Sequence, residues 1–104
     1  MKYQVWYMKP DFFRAGICGA LADARNLAAT HVMLCNVESS DGLAHVFHAM
    51  QGEMWSPNGE ARELIQSKGL QHTSMSVGDI IVDDVGNAHA VAGFGFKAIG
   101  GVPK

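Results

Sequence analysis

The chain has 104 residues, within the range of one domain with a single hydrophobic core, so we expect one domain over residues 1–104. Hydrophobic residues make up 48% of the chain and charged residues 17%, a balance typical of folded globular proteins and not of disordered ones. The net charge is −2 and the eight Lys and Arg residues are scattered along the sequence. This argues against a dedicated nucleic-acid binder, because such proteins cluster these residues to neutralise phosphates.

The first segment has the composition of a β-strand. Over Lys2 to Met8 the side chains alternate, so that one side carries Tyr3, Val5 and Tyr7 and the other carries Gln4, Trp6 and Met8. Residues 11–24 contain enough Phe, Ile, Leu and Ala for a short helix, which Gly16 and Gly19 weaken. The beginning of the chain lacks the continuous apolar stretch of a signal peptide, and no run approaches the roughly 18 apolar residues of a membrane span. We therefore expect a cytoplasmic protein that does not contact a membrane.

A second strand and a helix follow. The segment Thr30 to Val37 predicts a largely buried strand, whose two faces would carry Val32, Leu34 and Asn36 against His31, Met33, Cys35 and Val37. The next segment has the period of an amphipathic helix, with an apolar stripe of Leu43, Val46, Phe47 and Met50. Ser40 or Asp41 can cap this helix, and Gly52 lies just beyond its end.

The remaining elements are a second helix and a terminal hairpin. Ser56-Pro57 is typical of a helix start, because Ser accepts an orphan amide and Pro lacks an N–H that the first turn does not need. We expect this helix to end at Gly69. A buried strand at Asp79 to Val82, a hairpin turn, and one or two strands over Ala88 to Ile99 complete the chain. This order predicts an α+β fold, with a small antiparallel sheet and two to three short helices packed on it.

Histidines and cysteines are the candidate metal ligands. His45 and His48 lie three residues apart, a spacing at which two imidazoles on one helix can share a metal. Both project away from the apolar stripe, so we expect them to face water. Cys18 and Cys35 have no metal-ligand spacing and lie among apolar residues, which predicts two reduced, buried thiols. We therefore predict neither a metal nor a cofactor.

The segment from His72 to Asp79 contains the residue types of a nucleophilic triad, with Ser74 and Ser76 as the hydroxyl groups. It lacks the G-x-S-x-G sequence of a nucleophile elbow. Ser and Asp in such segments commonly bond to nearby backbone amides and shape a turn. We therefore assign no catalytic residue, and keep a hydrolase that uses His72 with Ser74 or Ser76 as one alternative.

Trp6, Met8, Met54 and Trp55 are a candidate protein interface. Met and Trp are enriched in the cores of interfaces, and Met54-Trp55 lies in a connection between the two predicted helices. In the other interpretation these side chains cover one end of the sheet.

The sequence HTSMSVGDIIVDD, with the GFGF that follows it, resembles the YodL-like and KfrB-like domains of plasmid, phage and integrative-element proteins. In those domains a segment of the form H-S-x-S-V-x-D-V precedes a hairpin that ends near F-G-F. The resemblance covers about a quarter of the chain closely, from His72 to Phe96. It implies a small α+β accessory domain and no catalytic residues. His72, Ser74, Ser76, Gly78 and Asp79 correspond to the shared motif.

We therefore expect an accessory protein of a mobile genetic element that acts as a non-enzymatic protein-interaction module, either as a homodimer or by antagonising a host or defence protein. An alternative from another class is a nucleic-acid or nucleotide binder with a PUA-like or ASCH-like sheet. It rests on Val77 to Ile81, which looks like the entry to a barrel strand of those domains.

Overall fold

The computed structural model of the protein describes residues 2–10, 24–93 and 95–102. Within these ranges it has five strands and three α-helices: β1 (Lys2–Met8), β2 (His31–Glu38), α1 (Leu43–Ala49), α2 (Gly52–Trp55), α3 (Arg62–Ser67), β3 (Ile80–Val82), β4 (Asn87–Val91) and β5 (Phe96–Gly101). A short 3₁₀ turn at Leu27–Ala29 precedes β2. The predicted α+β fold is confirmed. The helix predicted over residues 11–24 falls almost entirely outside the described residues, and Cys18 lies there too.

The five strands form one antiparallel sheet in the order β2-β1-β3-β4-β5. Strand β1 has the predicted bounds, and its alternation places Tyr3, Val5 and Tyr7 in the larger of the two hydrophobic clusters that the described residues form. The smaller cluster lies on the opposite face and includes Ile80 and Val82 of β3. Each face of β1 therefore contributes to a different core.

The larger cluster lies between the sheet and the helices. The predicted apolar stripe of α1 is confirmed, because Val46 and Met50 are buried and Leu43 and Phe47 pack against the cluster. The predicted cap is wrong: the N-cap is Gly42, at φ 88°, and no side chain bonds to the helix start.

A β-bulge changes which side chains of strand β2 face the larger cluster. Val5 pairs with Cys35 and Trp6 pairs with Met33, so Leu34 is an extra residue on this strand. Leu34 belongs to the larger cluster, and Val32, Cys35 and Val37 pack against the same cluster. The prediction that Cys35 and Val37 lie opposite Leu34 is wrong, because strict alternation does not hold across a bulge. Cys35 is a half-buried free thiol, and burial raises its pKa.

The predicted helix start at Ser56-Pro57 is wrong, because α3 begins at Arg62. The hydroxyl of Ser56 accepts a hydrogen bond from the amide of Ala61 at 2.8 Å, and the carboxylate of Glu60 accepts one from the amide of Asn58 at 2.9 Å. These bonds close a turn over residues 56–61, in which Gly59 has φ 84°. The predicted end of the helix is confirmed, since Lys68 is the C-cap and Gly69 has φ 71°.

The C-terminal strands form a meander. The turn between β3 and β4 is closed by the carboxylate of Asp83, which accepts hydrogen bonds from the amides of Val85 and Asn87 and from the imidazole of His89. Strands β4 and β5 are separate, as one of the two predictions for this region required. No helix within the described residues combines the length and apolar character needed to cross a membrane.

Candidate functional site

The carboxylate of Asp79 is buried at the entry to β3 and accepts hydrogen bonds from three groups. The amide of Met8, at the end of β1, donates to Oδ1 at 2.8 Å. The amide of Ser76 donates to Oδ2 at 2.8 Å, and Nε2 of His72 donates to Oδ2 at 2.9 Å. A buried charge is tolerated only when such partners replace water, so Asp79 holds β1 and the preceding segment in place.

His72 is fixed on a second side by an aromatic ring. Its imidazole stacks on Tyr7 with ring centroids 4.6 Å apart and an interplanar angle of 13°. The Tyr7 hydroxyl donates to the carbonyl of Thr73 at 2.6 Å, and the indole of Trp55 donates to the same carbonyl at 3.1 Å. Burial, followed by the charge of Asp79, raises the pKa of Tyr7, so the phenol remains a donor. Tyr7 is thus a partner of the motif that the sequence pattern did not predict.

The hydroxyls of Ser74 and Ser76 bond to the backbone. Ser74 Oγ accepts from the amide of Gly52 at the start of α2, at 2.7 Å. Ser76 Oγ donates to the carbonyl of Ser74 at 3.1 Å. Among the described residues neither hydroxyl is hydrogen-bonded to His72, so the nucleophile–base contact of a triad is not formed with these two serines.

Gly78 joins the motif to both β4 and β2. Its φ of 97° is in the left-handed region that favours glycine. Its amide donates to the carbonyl of Val91 at 2.9 Å, and its own carbonyl accepts from Nε2 of His31 at 2.7 Å. Nδ1 of His31 then accepts from the hydroxyl of Thr30 at 2.7 Å, because a neutral imidazole has one donor and one acceptor. Burial lowers the pKa of His31, against opposing contributions from Gly78 and the charge of Asp79.

The structure therefore brings the predicted motif residues His72, Ser74, Ser76, Gly78 and Asp79 into one network of hydrogen bonds. His72 and Asp79 are arranged like the base of a catalytic triad and the carboxylate that orients it. The third member of a triad, a hydroxyl bonded to the base, is supplied by neither Ser74 nor Ser76. The other bonds run between elements of the fold. This pattern favours a role in joining α2, β1, β2 and β4 through one segment.

A cleft of about 560 Å³ lies beside this network. It is bordered by both ends of α2, by the turn before α3, by α3 itself and by the segment that leads to Thr73. Its lining consists of Gly52, Ser56, Gly59, Arg62, Ile65, Gln66, Leu70, Gln71 and Thr73. His72, Ser74 and Ser76 do not line it. The cleft and the histidine-containing network are thus separate features that share the chain around Thr73.

The four residues of the candidate interface do not form one surface. Met8 is only 1% exposed, so the structure contradicts its assignment to a surface. Trp6 packs against the smaller cluster and Trp55 against the larger one, on opposite faces of the sheet. Met54 is 54% exposed and is the member that presents a large apolar area to solvent.

The candidate metal ligands are dispersed. His45 and His48 are exposed on α1, as predicted, and His45 Nδ1 lies 2.7 Å from the hydroxyl of Ser39. Over residues 2–10, 24–93 and 95–102 no group of three or more His, Cys, Asp or Glu side chains is arranged to hold a metal ion. His31, His72 and His89 each bond to other groups of the fold.

Comparison of the chain with protein-family models, curated proteins and solved structures gives no match.

We expect Asp79→Asn to lower the free energy of unfolding by about 3 kcal/mol, because the amide group faces donors that need an acceptor. Urea unfolding followed by circular dichroism measures this loss. Asp84→Asn is the matched control, since Asp84 is exposed in the turn between β3 and β4 and its replacement should change stability by less than about 0.5 kcal/mol. Equal effects of the two substitutions would contradict the structural role of Asp79.

The lowered pKa of His31 predicts that the stability of the protein depends on pH. Its pKa in the folded protein is below the ordinary value of 6.5, so on acidification the unfolded chain takes up a proton that the folded chain does not. The stabilisation is present above about pH 6.5 and is lost as the pH falls below it, by up to about 1.4 kcal/mol per pH unit. Urea unfolding between pH 7.5 and 5.5 should therefore show a shallower pH dependence for His31→Gln than for the unsubstituted protein. His48→Gln, on the exposed face of α1, should not reduce the dependence, and identical slopes for all three proteins would refute the expectation.

Proposed function

We propose that the protein is a non-enzymatic protein-interaction module, an accessory protein of a mobile genetic element as the resemblance of His72 to Phe96 implies. Under this proposal the polar side chains of the His72–Asp79 motif are used to build the domain, and a separate surface binds the partner. The partner is a host or defence protein, or a second copy of the chain.

The proposal that the protein is not an enzyme is supported by the hydrogen bonds of the motif side chains, which they make to other groups of the same domain. The Ser74 and Ser76 hydroxyls, the Asp79 carboxylate and Nε2 of His72 all bond to the chain itself. A catalytic group must contact a substrate in its reacting form, and these bonds would have to break for the serines to do so. A role in shaping the domain needs no such rearrangement.

The support for an interaction surface comes from α2. This four-residue helix carries Met54, which is 54% exposed, and Trp55, whose indole is held by Thr73. The helix also borders the cleft through Gly52 and Ser56. An exposed Met beside a Trp of fixed orientation and a concave surface is the combination expected at the centre of a protein interface.

The test is affinity capture with the purified protein and extract of its host cells, together with light scattering to detect a homodimer. We expect a discrete partner, or a dimer, that is lost or at least tenfold weaker with Met54→Glu. Val85→Glu is the matched control: Val85 is 71% exposed in the turn between β3 and β4, so the same charge there should leave the interaction unchanged. Equal binding by both variants, or a monomer that captures nothing above background, would contradict the proposal.

A further inference from the structure

Arg62 places one positive charge at the cleft beside α2. It is the first residue of α3, and a Cβ at Gly59 would lie 3.6 Å from its Nη2 atom, so the guanidinium lies over the turn that forms one wall. Within the described residues the guanidinium makes neither an ion pair nor a hydrogen bond. Arginine carries five donors in a planar arrangement that matches a carboxylate. A guanidinium at a concave surface whose donors are unused within the described residues is therefore suited to bind an anionic group.

The charge around Arg62 favours a singly charged ligand. Glu60 and Glu63 flank it in sequence and both are exposed, and the Glu60 carboxylate is bonded to Asn58. The two glutamates repel any anion near Arg62, but they repel a phosphate dianion more strongly than a single carboxylate. Recognition of phosphorylated segments generally uses clusters of arginines. Among the described residues, the lining of the cleft contains a single arginine, Arg62.

The rest of the cleft fits a short peptide. Its floor includes the buried side chains Ile65 and Leu70, which can contact an apolar side chain, while the amide side chains of Gln66 and Gln71 at the exposed rim can bond to a peptide backbone. The volume of about 560 Å³ lies within the range of clefts that hold small ligands.

We propose that this cleft binds an acidic peptide segment, in which a carboxylate pairs with Arg62 and a neighbouring apolar side chain lies on Ile65 and Leu70. The proposal rests on the proposed function and names the chemistry of the partner: the segment belongs to the protein that contacts Met54. The carboxylate belongs either to an internal Asp or Glu side chain or to a chain terminus. Two different peptides in the test distinguish these sources.

The test is titration of the isotope-labelled protein with synthetic peptides, followed through its backbone amide resonances. The probes are acetyl-Ala-Leu-Glu-Leu-Ala-amide, its Gln-for-Glu analogue and acetyl-Ala-Leu-Ala-Leu with a free carboxylate. We expect saturable shifts at Gly52, Gly59, Gln66 and Gln71 with the Glu peptide or the free-terminus peptide, which identifies the source of the carboxylate. The Gln analogue should bind at least tenfold more weakly.

Arg62→Gln should weaken binding of the preferred peptide at least tenfold, with other resonances unchanged as a check that the variant is folded. Lys68→Gln is the matched control, because Lys68 follows the same helix but does not line the cleft. The inference would be overturned if neither carboxylate-bearing peptide gave saturable shifts, or if Arg62→Gln bound the preferred peptide fully. It would also be overturned if the Glu peptide bound and its Gln analogue bound equally well.

The two proposals can fail separately. If the peptides do not bind but the Met54-dependent partner is still captured, the peptide inference is wrong and the proposed function stands. If the peptides bind through Arg62 but neither a partner nor a dimer is found, the cleft is a site for small acidic ligands and the interaction module is wrong.

Discussion

The fold depends on one buried charge. Asp79 draws together an amide at the end of β1, an amide of the segment before β3 and the imidazole of His72. Its own carbonyl accepts the amide of Val91 at 2.8 Å, which attaches the same residue to β4. Removing one member of such a group leaves buried partners without hydrogen bonds, and that cost exceeds the net gain of an ordinary hydrogen bond. The segment before β3 has no regular secondary structure, so these bonds supply the order that a helix or strand ladder would otherwise provide.

This constraint explains why chemically suggestive residues lie side by side. His72 is needed as a donor to Asp79 and as a flat surface for Tyr7, and Ser74 is needed to accept the amide at the start of α2. His31 supports the same region from β2 through the carbonyl of Gly78. Within the described residues every buried side-chain nitrogen and oxygen has a hydrogen-bond partner. The polar network is therefore consistent with a rigid support, and the cleft that Arg62 lines lies beside it.

Local patterns predicted those elements whose structure depends on local interactions. The alternation of β1, the apolar stripe of α1 and the glycine that ends α3 each follow from a period or a single residue preference, and each is present. The helix start at Ser56 failed because Ser56 and Glu60 bond within a turn, an alternative that the same residue types support equally well. The His72–Asp79 motif was predictable but its partners were not, since Met8 is 71 residues from Asp79 and Tyr7 is 66 residues from Thr73. Burial of Met8, which alternation placed with Trp6, likewise follows only from the tertiary structure.

Amide hydrogen exchange at Met8 and Ser76 tests the role of Asp79 most directly, because these two amides donate to its carboxylate. If the carboxylate organises the domain, the Ser76 amide should exchange as slowly as that of Val91, which bonds to the carbonyl of Asp79, although Ser76 lies outside any helix or strand. The opening free energies of all three amides should approach that of global unfolding. Exchange of Ser76 within about tenfold of the rate in an unfolded chain, with Val91 still protected, would show that the segment is not held by Asp79 and would contradict the account.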